Sequence, residues 1–315
     1  MILQTKILPD KETKNPISYH SKIFLLGSCF SENIGDQLNY FKFQMHQNPF
    51  GILFHPKAIE NFISNVIHEK KYVAEDLIFQ DEQWHSFDAH SKISSSDQEK
   101  LLEDLNLRIN TTKKQFQELS HIIITLGTSW VYNYIETNTI VANCHKIPQK
   151  KFSKKLLSID EISKSLETII SLLSSINKNI NIIFTISPVR HKKEGMVQNT
   201  RSKAHLISAI HNILNRNNVS YFPSYEIMMD ELRDYRFYAE DMIHPNKTAI
   251  QYIWEQFVAT WLTGNSTLVM KEVASIQKGL THKPFNKDSE MYQKFLHNLN
   301  NKKETIKNKF SFIEF

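Results

Sequence analysis

Four short apolar runs, separated by longer segments with helical periodicity, dominate the pattern of hydrophobic positions along this chain. The runs are IFLLG at 23–27, IIITLG at 122–127, NIIFTIS at 181–187 and VSYFP at 219–223. Short apolar runs bounded by turn residues are typical of buried strands, and strands that alternate with helices form parallel sheets. The pattern therefore predicts an α/β fold with a central parallel sheet.

Three further stretches repeat apolar residues every three or four positions, which is typical of amphipathic helices that pack on a sheet. The stripes are Ile59, Phe62, Ile63, Val66 and Ile67; Ile162, Leu166, Ile169, Ile170 and Leu173; and Ile250, Ile253, Trp254, Phe257, Val258 and Trp261. Because these stretches lie between or after the apolar runs, the sequence predicts the alternation of strands and helices that builds a doubly wound sheet.

Two segments depart from this alternation. Residues 79–96 are polar, carry scattered aromatic side chains and show no clear period, so we interpret them as a loop or lid inserted over the body of the domain. Beyond residue 264 the chain becomes rich in Lys and Asn but keeps helical apolar spacing. We therefore expect one α/β domain over residues 1–264 and a helical, Lys-rich extension over residues 265–315.

The composition is that of an ordinary globular protein, with hydrophobic residues at 41% and charged residues at 23% of the 315 positions. The net charge of +5 comes partly from the lysines between Lys287 and Lys309, which we interpret as a solvated helix face, so nucleic acid is not an expected partner. Cys29 and Cys144 are too few for a disulfide framework, and no apolar run has the length of a membrane span or a signal peptide. We expect a cytoplasmic protein.

The first apolar run ends in Gly27, Ser28 and Cys29, which offer two candidate nucleophiles where a strand is expected to turn into a helix. The carboxyl ends of parallel strands meet at one edge of the sheet, where ligands bind. Backbone amides and the helix dipole at such a turn should lower the pKa of a thiol. The alternative is a buried structural cysteine beside a serine that caps the helix.

Asp241 and His244 form the second candidate group. Three residues of separation allow the carboxylate to accept a hydrogen bond from Nδ1 of the imidazole and to leave Nε2 as a general base. Pro245 suits the first turn of the helix that follows. The alternative is a capping aspartate beside a surface histidine. Together with Cys29 or Ser28, the pair predicts a catalytic triad.

Six segments, in chain order, resemble the motifs of the GSCFA family. They are GSCFSENIG at 27–35, NPFGILFHP at 48–56, LGTSWVY at 126–132, VANCHK at 141–146, SPVRH at 187–191 and YFPSYEIMMDELRDYRFYAEDMIHPN at 221–246. The family looks like a branch of the SGNH (GDSL-type) hydrolase superfamily, and the resemblance covers roughly residues 20–262. It implies a flavodoxin-like α/β/α sandwich, to which the helical extension is added.

The resemblance implies roles for the two candidate groups. The first superfamily motif reads Gly-Asp-Ser, so Cys29 stands at the position of the nucleophilic serine and Ser28 at that of the aspartate. The superfamily's Asp-x-x-His motif matches Asp241 and His244 without change. The resemblance therefore implies a cysteine nucleophile, a histidine base and an aspartate that orients the base.

The resemblance also implies an oxyanion hole. Gly51, with Asn48 beside it, corresponds to the glycine whose backbone amide donates to the oxyanion in the superfamily. The third superfamily motif, Gly-x-Asn-Asp, departs most, because Ser129 replaces the asparagine that donates there. We therefore expect a hydroxyl of Ser129 or Thr128 to take the place of that amide.

Other polar residues follow the middle apolar runs. Arg190, His191 and Lys203 are expected at the mouth of the site, where they could hold a carboxylate or a phosphate, with a solvated polar loop as the alternative. Cys144 and His145 are candidates for a resolving thiol, a second base or half of a metal site. We expect no metal, because four ligands would meet only by coincidence of the fold.

These observations together predict an enzyme that acts on a small-molecule or glycan acyl ester or thioester through an acyl-enzyme on Cys29. The reaction is hydrolysis or acyl transfer and requires no cofactor, although acyl-coenzyme A would serve as an acyl donor. The rival hypothesis is a catalytically inactive module of the same fold that binds carbohydrate or a glycoconjugate. The altered first and third motifs favour this rival, whereas the intact Asp-x-x-His favours catalysis.

Overall fold

A central parallel sheet, two small antiparallel sheets and the helices around them are seen in the computed structural model, which describes residues 5–214, 216 and 218–315. The strands are β1 (Lys22–Gly27), β2 (Gln44–Gln47), β3 (Leu77–Gln80), β4 (Gln83–Ser86), β5 (Ser94–Ser95), β6 (His121–Leu126), β7 (Trp130–Tyr134), β8 (Thr139–Val141), β9 (Phe152–Leu156), β10 (Asn181–Ile186) and β11 (Val219–Phe222). The α-helices are α1 (Cys29–Tyr40), α2 (Pro56–Ile67), α3 (Gln98–Glu118), α4 (Ile159–Ile176), α5 (Met196–Ile213), α6 (Ser224–Glu226), α7 (Lys247–Trp261), α8 (Gly264–Leu280) and α9 (Glu290–Lys309).

The central sheet has five parallel strands in the order β11-β10-β6-β1-β2. Four of them coincide with the four apolar runs, so the predicted parallel sheet is confirmed. The fifth strand, β2, reads QMHQ and lies at the edge of the sheet, where none of its residues is fully buried. An edge strand needs no apolar run, which is why the hydrophobic pattern did not predict it.

Helices cover both faces of this sheet, because successive residues of each strand point to opposite sides. Phe24 and Leu26 of β1 join a core cluster that also contains the buried faces of α2, α3, α4 and α5. Ile23 and Leu25 join a second cluster with α1, α7, α8 and α9. The three predicted helical stripes lie in α2, α4 and α7 and pack on the sheet. The fold is thus a three-layer α/β/α arrangement, as predicted.

Residues 79–96 contain regular structure. Strands β3, β4 and β5 form an antiparallel sheet that was not predicted, while the role of the segment as a loop or lid over the body stays a prediction. Asp88 fixes the segment to the body, because its carboxylate accepts hydrogen bonds from the Tyr72 hydroxyl (2.9 Å), Asn61 Nδ2 (2.7 Å) and Lys70 Nζ (3.1 Å). Short strands with few apolar residues give too weak an alternation to be recognised in the sequence.

The predicted helical extension is confirmed and shares a core with the α/β domain. Val273 and Ile276 of α8 and Ile306 of α9 are fully or almost fully buried in the cluster that contains Leu38 of α1. Gln277 of α8 also donates a hydrogen bond to the carbonyl of Tyr40 at the end of α1 (3.0 Å). The boundary between residues 264 and 265 stays a prediction, since the structure joins the two parts through a common apolar cluster.

Replacing Ile276, which is completely buried, with alanine tests this shared core. We expect Ile276→Ala to lower the free energy of unfolding by about 2–5 kcal/mol, because a buried aliphatic side chain is lost and a cavity is left. Leu268→Ala in the same helix is the matched control, because Leu268 is 58% exposed and should cost little. The measurement is urea unfolding followed by circular dichroism. Equal stabilities of the two variants would contradict the shared core.

Candidate active site

The turn between β1 and α1 is set by Gly27. Its φ of +135° lies in the region that favours glycine, and a Cβ there would lie 2.1 Å from the carbonyl oxygen of Thr125 on the neighbouring strand. The Ser28 amide donates to the same oxygen (3.1 Å). The chain therefore turns against β6 and begins α1 at Cys29.

Ser28 is the N-cap of α1. Its side chain is buried, and its hydroxyl oxygen accepts a hydrogen bond from the backbone N–H of Phe30 (3.3 Å). Such a bond satisfies one of the amides that the first turn of a helix leaves without a partner. Cys29, the first residue of the helix, is only partly buried, and its thiol is free of any disulfide.

The thiol of Cys29 has a raised pKa, so the expectation of a lowered pKa is wrong. Burial is the largest cause, and the carboxylate of Glu32, one turn along the helix, adds to it. Hydrogen bonds from the amides of Cys29 and Phe30 and the positive charge of Lys203 act in the opposite direction. Desolvation of the thiolate outweighs the helix terminus at this position.

Asp241 and His244 form a hydrogen-bonded pair, with 2.6 Å between His244 Nδ1 and Asp241 Oδ2. The other carboxylate oxygen, Oδ1, accepts from the backbone amides of Ile243 (2.8 Å) and His244 (3.0 Å). These bonds hold the pKa of Asp241 well below its usual range, the His244 amide being the largest cause. An ionised Asp241 therefore fixes the imidazole with its proton on Nδ1, and Nε2 is left as the basic nitrogen.

The loop after β10 lies against this pair. The backbone N–H of Arg190 donates to the Ile243 carbonyl (3.2 Å), and Lys192 Nζ donates to the carbonyl of Asp241 (2.9 Å). His191, between them, interacts electrostatically with both His244 and Lys203, and Lys203 in turn interacts with Cys29. The structure thus places the loop that carries Arg190 and His191 against the loop of Asp241 and His244.

His191 has an unusual environment. Its Nε2 is buried and has no hydrogen-bond partner within the described part of the chain, while its backbone N–H donates to Asn199 Oδ1 (2.9 Å). Burial, followed by the charges of Lys203 and His244, lowers the pKa of His191 to about 3, so the imidazole is neutral. A Cβ built on Gly127 would lie 3.2 Å from this Nε2. The absence of a side chain at Gly127 therefore keeps space next to the ring nitrogen.

Asn48 and Gly51 behave differently from each other. Asn48 Oδ1 accepts from the Gly27 amide (2.9 Å), whereas Asn48 Nδ2 is a buried donor for which residues 5–214, 216 and 218–315 provide no acceptor. The Gly51 amide donates to the Asn48 carbonyl (2.8 Å) and closes a turn. Because this amide is already engaged, the prediction that it holds an oxyanion needs correction, and Asn48 Nδ2 is the donor left in that loop.

The hydroxyls of Thr128 and Ser129 are engaged as well. Thr128 Oγ1 lies 2.9 Å from Ser202 Oγ on α5, and Ser129 Oγ donates to the Ser202 carbonyl (3.1 Å). The Ser129 amide also donates to Ser202 Oγ (2.8 Å). These completely or almost completely buried groups join α5 to the end of β6. The prediction that they hold an oxyanion is therefore corrected to a structural role.

Lys203 lies inside the protein and not at the mouth, because only 1% of its surface is exposed. Its ammonium donates to the carbonyl of Ser187 at the end of β10 (2.6 Å). Burial lowers the pKa of Lys203 to about 7, an effect that Cys29 partly opposes. The expectation of a surface cation that binds substrate is thus wrong for this residue.

Arg190 and His145 complete the predicted set. The guanidinium of Arg190 lies 4.0 Å from the ring centroid of Tyr238 and 5.3 Å from that of Tyr235, which is 63% exposed. His145 is buried next to the sheet of β3, β4 and β5, where its Nε2 lies 2.8 Å from the Ser86 carbonyl and its Nδ1 lies 3.2 Å from Ser91 Oγ. Burial lowers its pKa to about 4. Arg190 therefore lies against the loop of His244, whereas His145 packs against the segment that contains Ser86 and Ser91.

Sequence reasoning did not single out Glu32 as part of this site. The carboxylate raises the pKa of Cys29, and it also lies 3.9 Å from the ammonium of Lys92 in the 79–96 segment. Its spacing of three residues from Cys29 on a predicted helix is the signal that could have identified it.

No group of three or more His, Cys, Asp or Glu side chains that could hold a metal ion is found among the residues that the structure describes. None of the described helices combines the length and the apolar character that crossing a membrane requires.

The fold and the site define an α/β/α protein with a cysteine at a strand-to-helix turn and an Asp–His pair at the same edge of the sheet. The chain belongs to the GSCFA family, whose model matches residues 22–257. A second model, described as the C-terminal domain of GSCFA domain proteins, matches residues 273–315. The resemblance seen in the six motifs is therefore confirmed. No curated protein matches the chain significantly.

Three solved structures are similar over most of the chain, at low identity. A carbohydrate esterase of family 3 from Talaromyces cellulolyticus has 9% identity and a TM-score of 0.36, with 81% of this chain and 99% of that chain covered. A mutant acetyl esterase with an acetate ion has 10% identity and a TM-score of 0.38, with the same coverages of 81% and 99%. An acetyl xylan esterase from the rumen bacterium Butyrivibrio proteoclasticus has 11% identity and a TM-score of 0.36, with 78% and 64% covered.

Replacing Glu32 with glutamine tests the electrostatics of the cysteine. We expect Glu32→Gln to increase the rate of Cys29 alkylation by iodoacetamide at neutral pH about two- to threefold, because a nearby negative charge that disfavours the thiolate is removed. Asp36→Asn, on an exposed position of the same helix, is the matched control and should leave the rate unchanged. The rate is followed by mass spectrometry of the Cys29 peptide. A rate that responds equally to both substitutions would show a general charge effect instead.

Proposed function

We propose that this protein is an acyl hydrolase or acyltransferase of the SGNH type that acts through an acyl-enzyme on Cys29. The observation that carries the proposal is the 2.6 Å hydrogen bond between Asp241 and His244, at the edge of the sheet where α1 begins with Cys29. A nucleophile, a base and a group that orients the base are the parts that covalent acyl transfer requires.

In the first step, the Cys29 sulfur attacks the acyl carbonyl while its proton passes to Nε2 of His244. The new C–S bond forms as the carbonyl π electrons move to oxygen. Collapse of the tetrahedral intermediate breaks the bond to the leaving alcohol or thiol, which takes the proton from His244. Asp241 stays ionised throughout and stabilises the imidazolium through Nδ1.

In the second step, water or an acceptor hydroxyl loses a proton to His244 and attacks the thioester. The tetrahedral intermediate then expels the Cys29 thiolate, which regains its proton from His244. The product depends on whether water or an acceptor hydroxyl occupies the position beside His244. An acceptor that is bound there competes with water because it is held close to the thioester. Arg190, which stacks on Tyr238 and hydrogen-bonds through its amide to the His244 loop, is the residue we assign to acceptor binding.

The oxyanion is held by two side chains that were not expected to act together. Asn48 Nδ2 and His191 Nε2 are both buried, and neither has a hydrogen-bond partner in the described residues. Buried donors without partners are costly unless a ligand satisfies them. In the tautomer with its proton on Nε2, the neutral imidazole of His191 donates one hydrogen bond to a developing negative charge without carrying a charge of its own. Removal of one such donor typically costs about 10²–10³ in turnover.

The substrates we propose are small-molecule or glycan acyl esters and thioesters, with acyl-coenzyme A as one acyl donor. A thiol nucleophile exchanges with a thioester at little free-energy cost, so the first step needs mainly orientation. A sugar hydroxyl or a similar alcohol is the acceptor that would turn hydrolysis into transfer. No cofactor takes part in the steps written above.

The identity of the nucleophile is tested with Cys29→Ala and Ser28→Ala, incubated with an activated acyl ester and analysed by intact-mass spectrometry. We expect Cys29→Ala to lose the acyl adduct completely, because the attacking sulfur is gone. Ser28→Ala should keep it and lose about 0.5–2 kcal/mol of stability, because an N-cap is removed. Acylation that survives Cys29→Ala and disappears in Ser28→Ala would make Ser28 the nucleophile.

The Asp–His pair is tested through turnover of the same ester. We expect His244→Ala to abolish most turnover, and Asp241→Asn to lower kcat by about 10⁴, since an amide no longer fixes the tautomer that places the base at Nε2. His205→Ala, a histidine of α5 that binds the Leu157 carbonyl, is a control that should keep its turnover. Wild-type kcat in His244→Ala, with an intact fold, would refute the assignment of the base.

A catalytically inactive module that binds carbohydrate or a glycoconjugate is the second candidate, and the raised pKa of Cys29 favours it. In such a module the thiol would be a packing residue. Labelling separates the candidates, because the module should give no acyl adduct with any ester or thioester and should still bind a glycan in calorimetry.

A further inference from the structure

Helices α8 and α9 form an antiparallel hairpin. A Cβ built on Gly279, next to the end of α8, would lie 2.7 Å from Leu299 Cδ1 of α9. One turn earlier in α8, Ser275 Oγ accepts a hydrogen bond from Lys302 Nζ (3.1 Å), which lies further along α9. The two helices therefore run side by side in opposite directions, and residues 280–291 form the tip of the hairpin.

Three large apolar side chains of this tip are exposed. Phe285 is fully exposed, Met291 is 81% exposed and Leu280 is 44% exposed. Ile276 and Ile306, in the same two helices, are almost completely buried, so the hairpin has an apolar side packed on the body as well as an apolar tip. Single exposed apolar residues are ordinary, whereas several at one tip are typical of an interaction surface.

Lysines surround the apolar side chains of the tip. Lys283 and Lys287 each lie two positions from Phe285, and Lys278 and Lys294 lie on the flanking helices. All four lysines are exposed, and none of them forms an ion pair within residues 5–214, 216 and 218–315. Their charges are therefore available to an anionic partner.

The acids in the same stretch are Asp288 and Glu290. Glu290 lies in the first turn of α9, where a carboxylate stabilises the positive end of the helix. Because four lysines stand against two acids, the stretch from Lys278 to Lys294 is cationic.

Local hydrogen bonds order the backbone of the tip. Asn286 Oδ1 accepts from the Asp288 amide (2.9 Å), and Ser289 Oγ donates to the Asn286 carbonyl (3.1 Å). Gln293 Nε2 donates to the Lys287 carbonyl (3.1 Å). Backbone groups that already have partners lower the cost of moving the tip out of water.

We propose that the tip of the α8–α9 hairpin binds the surface of a lipid bilayer with anionic headgroups. Phe285, Met291 and Leu280 enter the boundary between headgroups and acyl chains. The stems of the lysines lie along this boundary, and their ammonium groups contact the lipid phosphates and carboxylates. The contact is peripheral and independent of the proposed acyl chemistry.

An anionic bilayer fits this surface because it offers an apolar phase beside a negatively charged layer. A nucleic acid provides the negative charge, but its bases stack on aromatic rings and give no matching partner to Leu280 and Met291. The rest of the hairpin shares a core with α1, so a docked tip would hold the α/β domain at the lipid surface.

Flotation of the full chain with vesicles of phosphatidylcholine, with and without phosphatidylserine, tests the proposal. We expect binding to the vesicles that contain phosphatidylserine, and weaker binding as the KCl concentration rises. Phe285→Ser should weaken this binding at least about tenfold, because a large inserted side chain is lost. Leu268→Ser is the matched control, since Leu268 is 58% exposed but lies in the first part of α8, away from the tip, and it should bind like the wild type.

The lysines are tested by paired substitutions. Lys283→Gln together with Lys287→Gln should weaken binding about 25-fold, since each lysine near an anionic surface contributes about fivefold. Lys271→Gln together with Lys307→Gln removes the same charge from exposed positions away from the tip and should have a much smaller effect. An equal loss in the two double variants would show attraction to the net charge of the protein and would overturn the role of the tip.

Phe285→Trp reports the position of the side chain directly. The difference in tryptophan emission between this variant and the wild type should shift to the blue when phosphatidylserine vesicles are added, because the indole leaves water. No binding of the wild-type chain to these vesicles at low salt would overturn the proposal. Self-association that Phe285→Ser removes, or binding of a single-stranded DNA oligonucleotide in place of vesicles, would also overturn it. None of these measurements uses an acyl substrate, so failure of the proposed acyl chemistry gives a different result.

Discussion

The close approach of Gly27 to Thr125 is the constraint on which the arrangement of the site depends. With 2.1 Å between a Cβ at Gly27 and the Thr125 carbonyl oxygen, no other residue fits where β1 turns into α1. That turn lets Ser28 cap the helix and places Cys29 at its first position. It also brings the Gly27 amide to Asn48, so the loop after β2 is fixed to the same point. The missing side chain of Gly27 thus fixes the positions of the proposed nucleophile and of a proposed oxyanion donor together.

Desolvation also shapes the candidate site, because it shifts the pKa values of three of its groups towards their neutral forms. It raises the pKa of Cys29 and lowers those of His191 and Lys203. The Asp–His pair is different, because it lies on a solvent-exposed loop where backbone amides keep Asp241 ionised. The chemistry we propose therefore joins an exposed Asp–His pair, whose aspartate is ionised, to a partly buried thiol that is mostly protonated. Such a thiol suits an uncharged ester carbonyl.

The fold was largely predictable from the sequence, because buried parallel strands and amphipathic helices leave strong apolar patterns. Strand β2 and the strands within 79–96 were not predicted, because an edge strand or a strand that is polar on both faces leaves no apolar run in the sequence. Within the site, the spacing of Asp241 and His244 predicted a local contact that the structure contains. The oxyanion donors were misassigned because the partners of Gly51, Thr128 and Ser129 come from tertiary contacts. Lys203 was expected at the surface because lysine is usually exposed, whereas tertiary contacts bury it.

Helix α1 belongs to the part of the chain that the first family model matches and contacts the part that the second model matches. Its first residue is Cys29, and the carbonyl of its last residue, Tyr40, accepts a hydrogen bond from Gln277 of α8. Helices α1, α7, α8 and α9 bury their apolar faces in one layer. Groups that share one apolar cluster open as a cooperative unit. The C-terminal helices therefore stabilise the helix that begins with Cys29, and proteolysis within them should loosen the start of this helix without cutting any residue of the candidate site.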